Sequence, residues 1–230
     1  WEARFPGGLN ALQLRAVNDF GVLDGKSLLV VAPTSSGKTM VGELSAIQAV
    51  SAGKKAAFLL PYRALVNEKF EEFTAQYGPA GLRVVRCSGD ASDGIGPALG
   101  GRYDLGFFTY ETFLNLALAS PRLVRQLGLV VIDEGQFITD PSRGITVELI
   151  LALLLRARQQ GIQPQLVMLS AVLGKLNGLD DWLISQFRQA RNLGATEPLT
   201  AETILGQHLR DWIEFRQTQL ATCIKHWADF

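Results

Sequence analysis

Two stretches of this chain hold residue types that can do chemistry together. The first, Ala32–Thr39, reads Ala-Pro-Thr-Ser-Ser-Gly-Lys-Thr and follows an aliphatic run. It has the spacing of a phosphate-binding loop, with Ala32 where the first glycine usually stands. Thr34 opens the turn, and the backbone N–H groups of Ser35, Ser36, Gly37, Lys38 and Thr39 can wrap a phosphate at a helix N-terminus, where peptide dipoles favour an anion. Lys38 can reach the β- and γ-phosphates, and the Thr39 hydroxyl can ligand Mg²⁺. A loop of this composition can also merely turn the chain; a strand before it and a helix after it favour phosphate binding.

The second stretch, Leu127 to Asp140, delivers adjacent carboxylates, Asp133 and Glu134, at the end of a β-branched and aliphatic run. With a Mg-nucleotide at the first stretch, Asp133 suits the metal shell. Glu134 can accept a proton from a water attacking the γ-phosphate. Alone, such a pair is as often a helix cap; paired with the phosphate loop, it completes a catalytic set of Glu134, Asp133 and Lys38. Gln136 joins that set as a side chain with both a donor and an acceptor.

Bringing these groups together needs strands that end at one edge of a sheet. Short apolar runs supply them at 27–33, 56–61, 82–87, 105–110, 129–133 and 166–171. Most are apolar on successive residues, as expected for strands covered on both faces. Helix-like segments lie between them at about 38–51, 63–76, 110–119 and 144–160. The alternation predicts an α/β fold, a parallel sheet with helices on both faces. The stretch 89–102 reads as a surface loop with a short helical turn. From Pro198 onward Leu205, Leu209, Trp212, Ile213, Leu220, Cys223, Ile224 and Trp227 recur at helical spacing with no strand among them. The expected domains are therefore 1–190 and a C-terminal helical segment over 191–230, with the boundary near 190–197.

Ala32–Thr39 and Val130–Gln136 together resemble motifs I and II of superfamily 2 helicases, in the DExH-box branch that contains archaeal repair helicases and Ski-type RNA helicases. The likeness covers most of the first 185 residues. Leu9–Val17 resembles the Q-motif region, Leu59–Phe70 motif Ia, Thr109–Phe113 the following strand-contacting motif, and Leu169–Gly174 motif III. Asp140–Leu151 also resembles this branch, with an Arg-Gly pair, Arg143-Gly144, and a helix-borne Glu148. The resemblance implies a RecA-like P-loop NTPase domain that uses ATP and Mg²⁺ on single-stranded or partly duplex nucleic acid. It implies that Gln13 reads the adenine edge, that Pro61, Arg63 and the Thr109-Tyr110-Glu111 segment line the phosphate backbone of one strand, and that Ser170 and Ala171 couple nucleotide state to strand grip. Backbone contacts of that kind ignore base identity, which suits a translocating motor.

Two departures stand out. Motif II ends in Gln136 rather than His or Asp, and Val172 occupies a motif III position where the family has a hydroxyl. Gln136 can stand in for His without its pH sensitivity; Val172 cannot hydrogen-bond. The residues after Val172 are too few for a second RecA-like domain of roughly a hundred residues, and no arginine-finger motif occurs among them. The expectation is an N-terminal motor fragment whose second RecA-like domain lies in the parent chain or another subunit. The closing helices are candidates for a protein partner, with Trp212, Trp227 and Phe230 as anchors. A degenerate helicase-like module that binds nucleotide or a partner without turnover is the alternative, and a P-loop small-molecule kinase a weaker third.

Composition narrows the setting. The 230 residues hold 47% hydrophobic and 19% charged side chains, a balance that favours a packed globule. Twenty-two basic residues meet 22 acidic ones, which argues against a tail-driven nucleic-acid binder but not against a motor with local contacts. Two cysteines and two histidines cannot assemble a zinc site. With no secretory pattern in the opening residues and no apolar run of membrane length, the expectation is a cytoplasmic or nucleoid-associated protein with no membrane partner.

Overall fold

The computed structural model describes residues 7–89, 93–140 and 142–171. Val172, the boundary near 190–197 and the expected tail helices lie outside them.

Strands β1 (Leu28–Val31), β2 (Lys55–Leu60), β3 (Val84–Cys87), β4 (Leu105–Thr109), β5 (Leu127–Ile132) and β6 (Gln165–Ser170) form one sheet in the order β1-β6-β5-β2-β4-β3. Every pairing is parallel. The helices between them are α1 (Ala11–Asn18), α2 (Lys38–Ser51), α3 (Arg63–Tyr77), α4 (Ile95–Gly100), α5 (Tyr110–Ala119), α6 (Arg122–Arg125) and α7 (Gly144–Gln159). The expected strands and the four expected helices are present within a few residues, and α4 is the helical turn foreseen in the loose stretch.

The strand order decides where the helices go. From β1 to β3 the chain travels one way across the sheet, and from β3 to β6 it returns. Right-handed crossovers then require the helices to change face at β3. Buried residues of α1, α2 and α3 accordingly pack with Ala56, Phe58 and Leu60 of β2 in one core. Those of α4, α5, α6 and α7 pack with Ala57 and Leu59 in the other. Neighbouring residues of β2 thus serve opposite cores, and five of its six positions are buried. Phe58, Phe73 and Phe107 anchor the first core, with the Phe58 and Phe107 rings stacked at 4.9 Å between centroids.

The return path also places β6 between β1 and β5. The ends of β1 and β5 therefore lie two strand spacings apart, roughly 10 Å. That gap suits a lysine reaching from one side and a hydrated cation bridging from the other.

Candidate active site

The chain after β1 turns through Pro33–Gly37 and enters α2 at Lys38. Ser35 and Gly37 adopt left-handed backbone, with φ of 63° and 81°. Gly37 needs its missing side chain twice over, because a Cβ there would meet Gln13 Nε2 at 2.5 Å as well as carry a strained φ. No side chain caps the start of α2, so its first N–H groups keep their donor capacity at the positive end of the helix dipole. The Ser36 hydroxyl is buried with no hydrogen-bond partner. An open helix start with an unpartnered hydroxyl beside it fits a phosphate group.

Helix α1 holds this loop from behind. Asn10 and Gln13 form a reciprocal capping box: Asn10 Oδ1 accepts from the Gln13 N–H, and Gln13 Oε1 accepts from the Asn10 N–H. Asn10 Nδ2 also donates to the Ser36 carbonyl at 3.0 Å, and Gln13 Nε2 to the Gly37 carbonyl at 3.1 Å. Both ends of the Gln13 amide are therefore joined to the chain, and the residue ties α1 to the phosphate loop. The adenine-edge role expected of it has to share that amide.

At the tip of β5, Asp133 is 7% exposed and Lys38 is 6% exposed. Burial pushes the Asp133 carboxyl above its ordinary value; the Glu134 N–H, at 2.8 Å from Asp133 Oδ1, opposes this, while the Glu134 charge adds to it. Lys38 and Lys69 pull the other way, which sets the Lys38 ammonium in the same electrostatic environment as the acid. A buried carboxyl whose ionised form is disfavoured by burial and by a neighbouring acid suits a divalent cation. Thr39, next to Lys38 in the first turn of α2, remains the hydroxyl candidate for that ion.

Glu134 sits at φ 53°, an uncommon value for a residue with a long side chain. The backbone kinks there into a short 3-10 turn, Gly135–Thr139. Gly135 lies against β6 so closely that a Cβ would meet Met168 Cε at 2.7 Å. This approach brings Gln136 across to β6. Gln136 Nε2 donates to Glu134 Oε2, and Gln136 Oε1 accepts from Ser170 Oγ at 3.0 Å and from the Ala171 N–H at 3.2 Å. One amide thus joins the carboxylate beside the phosphate loop to the end of β6.

The residues expected along a nucleic-acid strand fare differently. Arg63 is exposed at the first turn of α3 and packs against Gly89. Pro61 is buried, and its carbonyl accepts from Arg143 Nη1. Thr109 is 5% exposed; its hydroxyl donates to Thr112 Oγ1 at 2.8 Å and accepts from the Thr112 N–H as the cap of α5. Tyr110 is fully buried, and its hydroxyl donates to the Asp133 carbonyl. The Thr109 and Tyr110 side chains thus bond within the chain. At this strand–helix junction Thr109 ends β4 as a helix cap, and Tyr110 turns inward to brace the acidic tip of β5. Glu111 remains exposed.

Tyr62 carries no expectation from the sequence, and Arg143 enters only as part of the Arg143-Gly144 pair, with no role. Tyr62, between Pro61 and Arg63, is 45% exposed. The Arg143 guanidinium lies 4.3 Å from its ring centroid. An aromatic residue at a strand tip was a legible signal for Tyr62; nothing local in the sequence joins Arg143 to it.

Among the described residues no helix is long and apolar enough to cross a membrane. No cluster of three or more His, Cys, Asp or Glu side chains able to hold a metal occurs among them either.

The DEAD/DEAH box helicase family model matches residues 10–177. The chain is also similar to three proteins described as ATP-dependent DNA helicase Hel308. The one from Thermococcus kodakarensis is 38% identical over 164 residues, 71% of this chain and 14% of that protein. The one from Caldivirga maquilingensis is 35% identical over 71% of this chain and 21% of its own length. The one from Pyrococcus abyssi is 37% identical over 71% and 22%. The chain spans about a fifth or less of the relatives it matches.

Proposed function

The chain belongs to the DEAD/DEAH box helicase family, and from that premise we propose that it is the first RecA-like half of a motor that hydrolyses Mg-ATP and couples hydrolysis to tracking along single-stranded or partly duplex nucleic acid. DNA is favoured as the track because the Hel308 relatives are named as DNA helicases. The reading rests above all on Gln136, whose amide joins Glu134 on the hydrolytic side to Ser170 and Ala171 on β6.

Lys38 and the N–H groups from Ser35 to Thr39 hold the triphosphate. Mg²⁺ held by Thr39 and Asp133 would neutralise phosphate charge and orient the γ-phosphate. Glu134 takes the proton from the attacking water, and Tyr110 fixes the peptide that carries both acids. Gln136 keeps the Glu134 carboxylate in one orientation and relays its position to β6. Arg63 and the start of α3 offer donors to backbone phosphates. A second RecA-like domain supplies the cation that stabilises the transition state, an element worth about 10³–10⁵ in rate in related NTPases. A motor of this kind works where nucleic acid lies, so a cytoplasmic or nucleoid-associated site of action follows.

The test is ATP hydrolysis by the full-length protein with and without single-stranded DNA, beside Glu134→Gln and Lys38→Ala. Stimulation that Glu134→Gln abolishes, with ATP binding lost only in Lys38→Ala, is the expected result. Equal rates in wild type and Glu134→Gln would refute the motor and leave a nucleotide-binding module without turnover.

A further inference from the structure

The loop between β2 and α3 is held from a distance. Arg143, just before α7, donates from Nη1 to the Pro61 carbonyl. Its guanidinium stacks 4.3 Å from the Tyr62 ring centroid and lies 5.9 Å from that of Phe137. The Tyr62 and Phe137 rings meet edge to face at 86° and 5.5 Å. Arg143 is itself fixed, because Asp140 Oδ1 accepts from its N–H at 2.9 Å and from the Ser142 N–H and hydroxyl at 2.9 and 2.6 Å.

Phe137 belongs to the same 3-10 turn as Gln136, three residues beyond Glu134. The turn therefore has two outputs. Gln136 points to β6, and Phe137 with Arg143 grips Tyr62. Even so clamped, Tyr62 stays 45% exposed next to Arg63. An aromatic ring held by a planar cation and a second ring, and still open to solvent, is a preformed stacking surface; base–aromatic stacking of this kind is tolerant of sequence.

We propose that Tyr62 is a stacking contact for a base or sugar of the single strand, and that Arg143 is a positioning residue that fixes Tyr62 and Pro61 to the turn following Glu134. The inference rests on the motor reading above and adds a second route from the acidic pair to the nucleic acid. It also accounts for an arginine in place of lysine: only a planar guanidinium can stack on the ring while donating to a carbonyl beside it.

The experiment measures the oligo(dT) concentration that half-maximally stimulates ATP hydrolysis by the full-length protein. Tyr62→Leu and Arg143→Lys are each expected to raise it about 5- to 10-fold, with the saturated rate within about 2-fold of wild type, because one stacking or cation–π contact is lost. Tyr62→Phe keeps the ring and should stay within about 2-fold of wild type. The double variant Tyr62→Leu/Arg143→Lys should be no worse than either single one, since both act through one ring. Thermal melts accompany each variant, and Tyr62→Leu carries the test if Arg143→Lys unfolds. Unmoved half-stimulating concentrations, multiplying effects in the double, or a fall only in the saturated rate overturn the inference while the motor reading stands. A wild type that oligo(dT) does not stimulate overturns both.

Discussion

If the proposed motor function holds, replacing Gln136 by His should give DNA-stimulated hydrolysis a pH dependence that glutamine denies it. Gln136 offers one donor, to Glu134, and one acceptor, shared by Ser170 Oγ and the Ala171 N–H. A neutral imidazole can reproduce both, one ring nitrogen donating and the other accepting. A protonated imidazole has two donors and no acceptor. Ser170, which is fully buried, then loses its partner while the cation gains the Glu134 carboxylate. That carboxylate raises the imidazole pKa, so the acid limb should fall at or above about 6.5. Two lost hydrogen bonds at about 1 kcal/mol each correspond to roughly 30-fold. The quantity to follow is the ratio of DNA-stimulated to unstimulated ATP hydrolysis between about pH 5.5 and pH 8.5, a window that spans imidazole titration. Wild type should keep a level ratio, while Gln136→His should match it on the alkaline side and lose about 10- to 30-fold on the acid side. Superimposable profiles, or a His variant depressed equally at every pH, would refute the bridge as a link between hydrolysis and the nucleic acid.

Other consequences follow from single positions. Ser35→Gly relieves a left-handed residue at φ 63° and should raise the melting temperature by about 2–4 °C for each kcal/mol recovered, with Mg-ATP affinity retained; an unchanged or lower midpoint counts against strain at that site. Tyr110→Phe removes the donor to the Asp133 carbonyl and should cost about 1–2 kcal/mol in denaturant unfolding and slow hydrolysis without abolishing ATP binding; stability and rate both at wild-type level would mean that the brace is idle. The Cys87 thiol is buried, and burial pushes its pKa up to about 12. In a Cys223→Ser background a disulfide reagent at neutral pH should therefore modify it only when the protein unfolds; rapid labelling of the native protein would contradict the burial.

The sheet was readable because strands buried on both faces leave unbroken apolar runs, and because the loop after β1 has its own spacing signature. Strand order was not, since it depends on where the chain reverses at β3 rather than on any local pattern. The acidic pair could be recognised by residue type, and so could the two-sided amide of Gln136; its partners on β6 leave no local pattern and were expected only through the resemblance of Leu169–Gly174 to motif III. The strand-facing set was the hardest to read. A Thr-Tyr pair at a β4–α5 junction looks the same in sequence whether it faces solvent or turns beneath the sheet edge. The Thr109 cap is local, but the fit of Tyr110 against β5 is tertiary and decides which way the ring turns. Arg143 and Pro61 lie in separate crossovers, so their contact leaves no periodicity to find.

The insertion of β6 between β1 and β5 means that the strand before the phosphate-type loop and the strand that carries the acidic pair are not hydrogen-bonded to each other. Within the sheet β6 is their common neighbour, and α2 also packs on β5 across the sheet face. A change in the spacing of those two strand tips would be felt by the strand in the middle, and Ser170 is that strand's last residue.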